Sequence, residues 1–425
     1  MIDLAKKLWP INRSITGEGL RKTLHILKEE TNLLNIHEIP SGTKVFDWIV
    51  PKEWHVKEAW VKDSKGNKII DFKTNNLHLV GYSKSVDSVL SLKELDRHLY
   101  SIPSQPDAIP YITSYYKKHW GFCLTHNQRS KLRETKYKVY INSEYKSGYL
   151  NYGEVYLKST NKNSKEVFIS SYICHPSMAN NEISGPVVIS QIAKWLNKLK
   201  VRNYNYRIIF IPETIGSISY LSKNLENLKK NVIAGFNISC VGDENNYSYL
   251  PSRNGLTLSD RILKHVLKHT CENYIKYEWK DRGSDERQYC APGIDLPIAS
   301  FMRSKYGEFP EYHTSLDNFQ LVTDKGLSES YDLMKRLIMG IENNFFPIYR
   351  ILGEPMLSRR GLYPTLSTKD RNHDIDIMMN ILTWSDGSHD LIDIADLCEK
   401  PIWSIYNTIN TLLGEGLITK KNIIE

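Results

Sequence analysis

Two polar clusters stand where apolar runs stop, and a third lies further along the chain. The run Val167 to Ile173 ends in Cys174-His175-Pro176, the run Arg207 to Ile211 ends in Pro212-Glu213-Thr214, and a later polar stretch carries Tyr312-His313-Thr314-Ser315-Leu316-Asp317. A neutral imidazole is a good ligand for a divalent metal. A glutamate beside a metal-bound water can take its proton and return it to a leaving amine. Each cluster alone has a plainer reading: His175 as a hydrogen-bonded loop residue, Glu213 as the acid that a helix amino terminus favours, and the third cluster as surface loop. Two histidines and a glutamate at the ends of apolar runs together point to metal-assisted hydrolysis. Further polar density lies at Arg282-Gly283-Ser284-Asp285-Glu286-Arg287, which needs a cleft or mutual hydrogen bonds to satisfy it. Arg253, Arg282, Arg287 and Arg303 are candidates for a bidentate grip on a substrate carboxylate or phosphate, with surface ion pairing as the alternative. A thiol nucleophile at Cys174 is set aside, because neighbours at a strand's end point to opposite sides.

Such residues require a frame that brings strand ends together. From residue 167 onward buried strands alternate with helices: 167–173, a helix over 184–199, 207–211, a helix near 216–228, and 232–238. That pattern implies a largely parallel sheet covered on both sides, with ligands bound at the strand carboxyl ends. Residues 1–34 read as helical, with Leu20, Leu24 and Leu27 at helical spacing behind Ile15-Thr16-Gly17-Glu18-Gly19. Residues 40–150 read as a separate β-rich unit of short strands and turns. After a polar link at Ser367 to Asn372, three short helices and a strand give the pattern of a winged helix-turn-helix.

Composition narrows the class. A chain of 425 residues exceeds one ordinary core, so two or three domains are expected. With 41% hydrophobic and 24% charged residues it reads as globular. No signal peptide and no apolar stretch long enough to span a membrane is present, so a cytoplasmic location is expected. Six scattered cysteines suggest reduced thiols. The net charge of +8 is dispersed, and from residue 372 onward nine acids face three lysines, a net of −6. The third helix of the winged pattern, Pro401 to Leu413, has no Lys or Arg. DNA binding is therefore not expected, and Trp403 and Tyr406 suggest a protein contact instead, self-association included.

The ordered motifs, His-bearing turn with Asn-x-x-Ser-Gly, Glu-x-x-Gly-Ser, and Tyr-His-Thr-x-x-Asp, resemble the co-catalytic zinc aminopeptidases. The resemblance is closer to their relatives encoded among bacterial surface-polysaccharide genes, and it extends to Pro10-Ile11-Asn12-Arg13-Ser14. It implies an α/β fold: a zinc-aminopeptidase-like sheet covered by helices (1–39 and 151–366), a β-rich inserted domain (40–150), and a C-terminal winged-helix domain (372–425). It implies metal ligation by His175 and His313, with Glu213 as general base. Three ligand positions depart from the family pattern, since Asn181, Thr214 and Ser239 stand where carboxylates are required. A dinuclear centre is thus not expected, because a neutral amide is a poor substitute for a carboxylate shared by two dications. One divalent metal, zinc as the first choice, is expected on His175 and His313 with help from Asn181, Glu182 or Asp243. Asp285, Glu286, Arg287, Tyr312 and Asp317 are expected to shape the pocket with Glu182, Arg253 and Arg303. The expected activity is hydrolysis of an amide in a small or short peptide-like substrate, with a possible link to surface polysaccharide. The rival expectation is a non-catalytic scaffold that binds a ligand, a partner enzyme or a second copy of itself.

Overall fold

Glu166–Tyr172 is buried along its whole length, as befits a strand flanked by strands and covered on both faces. In the computed structural model, which describes residues 1–162, 165–362 and 373–421, it lies inside an eight-stranded sheet. The strands are β1 (Asn35–Pro40), β2 (Tyr149–Leu157), β3 (Glu166–Tyr172), β4 (Asn205–Ile211), β5 (Val232–Ile238), β6 (Ser248–Leu250), β7 (Ile275–Lys276) and β8 (Ile298–Met302). Their spatial order is β1-β2-β4-β3-β5-β8-β6-β7. The inner four, β4, β3, β5 and β8, are parallel. Antiparallel pairings of β1 with β2, β2 with β4, and β6 with β8 extend the sheet on both sides.

The stretch 1–34 is two helices, α1 (Ile2–Leu8) and α2 (Glu18–Thr31). Pro10 and the positive φ of Gly17 (95°) break the helical run, so residues 9–17 form an irregular crossing between the two helices. Helix α3 (Ser184–Lys198) follows β3, and α4 (Ile215–Asn231) follows β4. The approach of α3 to the sheet depends on Gly185: a Cβ there would sit 2.3 Å from Ser171 Oγ and 2.5 Å from the Ile238 carbonyl oxygen.

Residues 40–150 build a four-stranded antiparallel sheet from Lys68–Asp71, Glu53–Lys62, Lys136–Lys146 and Val86–Ser91. Its inner residues Ala59, Val61, Val139 and Ile141 are in one apolar cluster with Ile209, Ile211 and Tyr220 of the large sheet and its helix. The β-rich stretch therefore has its own sheet but shares its core, and it falls in one compact unit with the large sheet (Met1–Ser259 and Ile275–Asp332). Segment 109–111 reaches across to the third polar cluster: Tyr111 N–H donates to the His313 carbonyl at 2.7 Å, and Ser315 N–H to the Ile109 carbonyl at 2.9 Å.

A second unit comprises Asp260–Tyr274 and Leu333–Glu425. It takes in most of α5 (Leu258–Thr270), the end of α6 (Asp324–Glu342), and then α7 (His373–Trp384), α8 (Leu391–Leu397) and α9 (Ile402–Gly414). Strand β9 (Phe346–Tyr349) pairs antiparallel with β10 (Ile418–Lys421), so the winged element draws on chain well before residue 372. The polar link at 367–372 lies outside the described residues. Asp390 caps α8 by accepting from the backbone N–H of Ile392 and Asp393, and His265 joins α5 to α9 by accepting the Ile402 N–H at 2.9 Å. Trp403 and Tyr406 are half-buried, each with a partner inside this unit. The Arg336 guanidinium lies 4.8 Å over the Trp403 ring, and the Tyr406 hydroxyl donates to the Met339 carbonyl at 3.3 Å. Among the described residues no helix is long and apolar enough to cross a membrane.

Gly185→Ala is expected to force α3 off the sheet. A cost of about 3 kcal/mol, in the upper range for overpacking, should appear as a lowered Tm, and an unchanged Tm would show that the contact is not tight.

Candidate functional site

Strand β3 delivers Cys174 and His175, and β4 delivers Glu213, both at carboxyl ends. Beyond His175 the chain makes one π-helical turn, Ala179–Ile183, before α3, a local form often found at functional sites. Asp317 holds that turn, accepting the N–H groups of Asn180 at 2.5 Å and Asn181 at 2.9 Å. Thr214, the residue before α4, has φ 63° and ψ −78°. A β-branched residue rarely adopts a positive φ. It is held there by Asp285, whose Oδ1 accepts from Thr214 N–H at 2.8 Å and from the Ser217 hydroxyl at 2.7 Å. His313 also has a positive φ, 55°, and its ring stacks on Tyr312 with centroids 3.9 Å apart.

These backbones bring His175, Glu213 and His313 around one cavity of about 380 Å³. The two imidazole centroids are 5.3 Å apart, and His175 Nε2 lies 3.7 Å from Glu213 Oε2. His175 Nδ1 is bonded to Glu182 Oε2 at 2.7 Å, so Nε2 is the nitrogen turned toward the cavity. His313 Nε2 is buried and has no hydrogen-bond partner among the described residues. Two imidazoles sharing a tetrahedral ion through Nε2, at ~2.0–2.1 Å each, place their centroids about 5 Å apart. The orphaned nitrogen and the carboxylate behind His175, which braces the ring as carboxylates do in metal sites, also fit a divalent ion.

Electrostatics sharpen the division of labour. Burial, then the charge of His175, pushes the His313 imidazole down to about 3, keeping it neutral. Burial alone would depress His175, but the Cys174 and Glu182 charges outweigh it and lift its pKa well above the ordinary value. Burial raises the Glu213 carboxyl against the opposing pull of His175. Cys174 Sγ lies 3.5 Å from His175 Nδ1, so the two side chains are close, contrary to the expectation that they diverge. Burial nevertheless pushes the thiol up to about 11, and its sulfur accepts the Glu213 N–H at 3.3 Å. Cys174 is thereby a brace for Glu213 and a poor nucleophile at neutral pH.

The remaining expected residues divide clearly. Asp243 is buried, but its carboxylate accepts from Asn180 Nδ2, Asn245 N–H, and both the N–H and the hydroxyl of Ser304. Its lone pairs are spent on that loop, so it leaves the metal-ligand set. Asn181 Oδ1 is 3.4 Å from the Tyr172 hydroxyl. Glu286 accepts from Gly283 N–H, Ser284 N–H and the Tyr306 hydroxyl on one oxygen, and from Asn237 and Ser300 on the other. It pins the 283–289 loop. Arg253 pairs with Asp295 at the surface, and Arg303 binds Glu329 and covers the Tyr247 ring, so neither serves the cavity. Arg282 bonds the Trp279 carbonyl. Arg287 alone of the four touches a lining residue, donating to the Thr214 hydroxyl at 3.2 Å.

The cavity's other walls escaped the motif reading. Trp48, Tyr111, Thr113, Tyr115 and Tyr116 come from the β-rich stretch, with Ile15 from the N-terminal crossing and Ile215 from α4. Burial raises Tyr115 and Tyr116 to about 12 each, so these phenols stay neutral. The aromatic cluster at 111–116 was a visible signal, but nothing in its spacing said which site it covers. From the same N-terminal crossing, Pro10, Ile11, Asn12, Ser14 and Thr16 line a separate groove of about 530 Å³ with Trp54 and Phe72.

Known proteins share this fold. A family model described as a domain of unknown function (DUF4910) matches residues 2–344. The chain belongs to the DUF4910 family. A winged helix-turn-helix model matches residues 347–420. A Clostridium acetobutylicum protein, named as a polysaccharide biosynthesis protein with an aminopeptidase-like domain, is 46% identical over 397 residues, 92% of this chain and 90% of that protein. A crystal structure from the same organism, assigned there as a peptidase, superposes with a TM-score of 0.91 at 42% identity, covering 99% of this chain and 95% of that one. The Bacillus subtilis zinc aminopeptidase superposes with a TM-score of 0.57 at 12% identity, covering 79% of this chain and 93% of its own, which shows a shared fold. This member of the DUF4910 family thus has an aminopeptidase-like α/β fold and a C-terminal winged helix.

Asp285 offers a pH signature. Burial, then the Glu213 charge, pushes its carboxyl up to about 8, against about 3.9 in an unfolded chain. The folded state therefore holds that proton more tightly. The stability it lends is full below about pH 4 and is lost as pH rises toward 8. Asp285→Asn keeps the acceptor oxygen and cannot ionise, so its Tm relative to wild type should climb between pH 5 and pH 8.5. A relative Tm that falls over that range would reverse the assignment.

Proposed function

We propose that this protein hydrolyses an amide bond with the help of one divalent metal held by His175 and His313. The observation that carries the reading is the orphaned His313 Nε2 opposite a His175 whose Nδ1 is already bonded to Glu182. Zinc is the first choice for an imidazole-rich site. When bound, the ion supplies the Lewis acidity that polarises the amide carbonyl. Glu213 acts from the opposite wall. Its carboxylate takes a proton from the attacking water as the water oxygen bonds to the carbonyl carbon. It then gives that proton to the nitrogen as the carbon–nitrogen bond breaks. Burial raises its carboxyl, which moves it toward the range where one group serves as both base and acid near neutrality. The Cys174 sulfur and the Thr214 turn hold Glu213 in place, and Tyr312 holds the His313 ring.

The walls suggest the substrate. Trp48, Tyr111, Tyr115 and Tyr116 with Ile15 and Ile215 suit an uncharged group with an apolar face, and the volume suits a small molecule. The name of the Clostridium acetobutylicum relative places that protein in polysaccharide biosynthesis. An acylated amino sugar, which joins an amide to a ring with an apolar face, combines both indications, and a cytoplasmic setting follows from that role. The substitutions at Asn181, Thr214 and Ser239 favour a second reading, in which the scaffold binds such a ligand without cleaving it.

Three measurements separate these readings. Metal uptake should release protons and tighten as pH rises, because His175 must free its Nε2; cobalt titrations at pH 6 and pH 8 with no difference, or no uptake at all, would remove the metal. Glu213→Gln should lower kcat at least about 100-fold with metal content intact, and undiminished turnover excludes Glu213 from proton transfer. Trp48→Ala should raise KM with little change in kcat. An unchanged KM would show that Trp48 does not touch the substrate.

A further inference from the structure

One buried cation has no part in the chemistry above. The Arg13 side chain is 1% exposed and lies directly behind His175. Its Nε donates to the His175 carbonyl at 2.9 Å and its Nη1 to the Leu8 carbonyl at 2.6 Å. Nη2 is buried with no hydrogen-bond partner among the described residues, and so is Glu182 Oε1. Arg13 Nε stands 3.9 Å from that same Glu182 oxygen, while the other Glu182 oxygen holds His175 Nδ1 at 2.7 Å. One guanidinium thus reaches both ends of the His175 residue: the backbone directly, and the ring through Glu182. The segment carrying it is itself fastened to the site, since Asn76 Nδ2 donates to the Pro10 carbonyl at 2.9 Å and to Ser177 Oγ at 3.1 Å.

We infer that Arg13 is the positioning residue of the site, fixing the His175 peptide and the Glu182 carboxylate in one relation so that the imidazole presents Nε2 to the cavity. A guanidinium is suited to this because its donors leave in fixed, divergent directions from one rigid plane. A buried carboxylate without a cation behind it would be free to turn toward whatever donor it finds, at the expense of its bond to the ring. The irregular crossing at 9–17 thereby brings a cation to the backbone just beyond the carboxyl end of β3.

The test reads the His175–Glu182 bond itself, without metal and without substrate. In metal-free protein labelled with ¹⁵N-histidine, the His175 Nδ1–H should give a low-field, slowly exchanging proton resonance, identified by its absence in His175→Gln. Arg13→Met is expected to broaden or abolish it, and to weaken cobalt binding at least tenfold. Arg13→Lys, which keeps the charge but loses the Nε–H to the His175 carbonyl, should retain the resonance with faster exchange. A folded Arg13→Met protein with the resonance unshifted and equally protected would overturn the inference. If Arg13→Met does not fold, Arg13→Lys decides alone: exchange equal to wild type overturns it, and faster exchange at unchanged Tm supports it. The cobalt arm rests on the metal reading of the site, but the resonance does not. Loss of the resonance in a protein that never binds cobalt would sink the metal and leave Arg13 in place.

Discussion

Charge buried behind apolar strands is the constraint that organises this molecule. Arg13, His175, Glu182, Asp243, Asp285, Glu286 and Asp317 are all nearly or completely buried, beside strands whose side chains are mostly apolar. Each such group must find a partner or become neutral. The solutions are local and specific: Asp317 takes two backbone N–H groups of the π-helical turn, Glu286 takes five donors, and Glu182 is shared between a ring and a guanidinium. The backbone has bent to meet these needs. Thr214 and His313 occupy the left-handed region, an expense that elsewhere would select glycine, and both sit where a side chain has to be aimed into the cavity.

How much of this was legible in the sequence follows from what each signal measures. Apolar runs report burial directly, so β3, β4 and β5 and the helices after the first two could be placed, and with them the positions of His175 and Glu213 at strand ends. The antiparallel extensions at β1, β2 and β6 could not, because β1 is mostly exposed and β6 is only three residues long. The motif reading named Asp243 as a ligand because it follows β5 closely, but proximity along the chain does not reveal that Asn180, Asn245 and Ser304 already occupy its oxygens. It underrated Arg13 for the converse reason. The distance from residue 13 to residue 175 is a tertiary fact, and a lone arginine in a loop looks like surface. The aromatic residues at 111–116 were visible as a cluster, yet only the bonds from 109–111 to 313–315 assign them to this cavity.

Two of the three positions that lack the expected carboxylates contribute backbone hydrogen bonds to the site's frame. Asn181 gives its backbone N–H to Asp317, and the Thr214 N–H anchors Asp285. Ser239 is buried at the end of β5. Removing negative charge at these positions leaves Glu182 and Glu213 as the carboxylates nearest His175, one behind the ring and one before it. The site is thereby simplified to an axis rather than a cage, with Arg13 at one end, the cavity at the other, and a single imidazole between. An axis of this kind discriminates by direction: what matters is which nitrogen faces outward, not how many anions surround the centre.

The crossing at residues 10–16 lines two cavities. Ile15 faces the cavity of His175 and Glu213, while Pro10, Ile11, Asn12, Ser14 and Thr16 face the groove beside Trp54 and Phe72. A segment shared by two cavities couples them through its own backbone. Anything that lodged in the groove, or any tag or protease that tugged on the first turns of the protein, would pull on the same strip of backbone that carries Arg13. The amino-terminal segment therefore has to be treated as part of the pocket wall when the protein is cut, fused or immobilised.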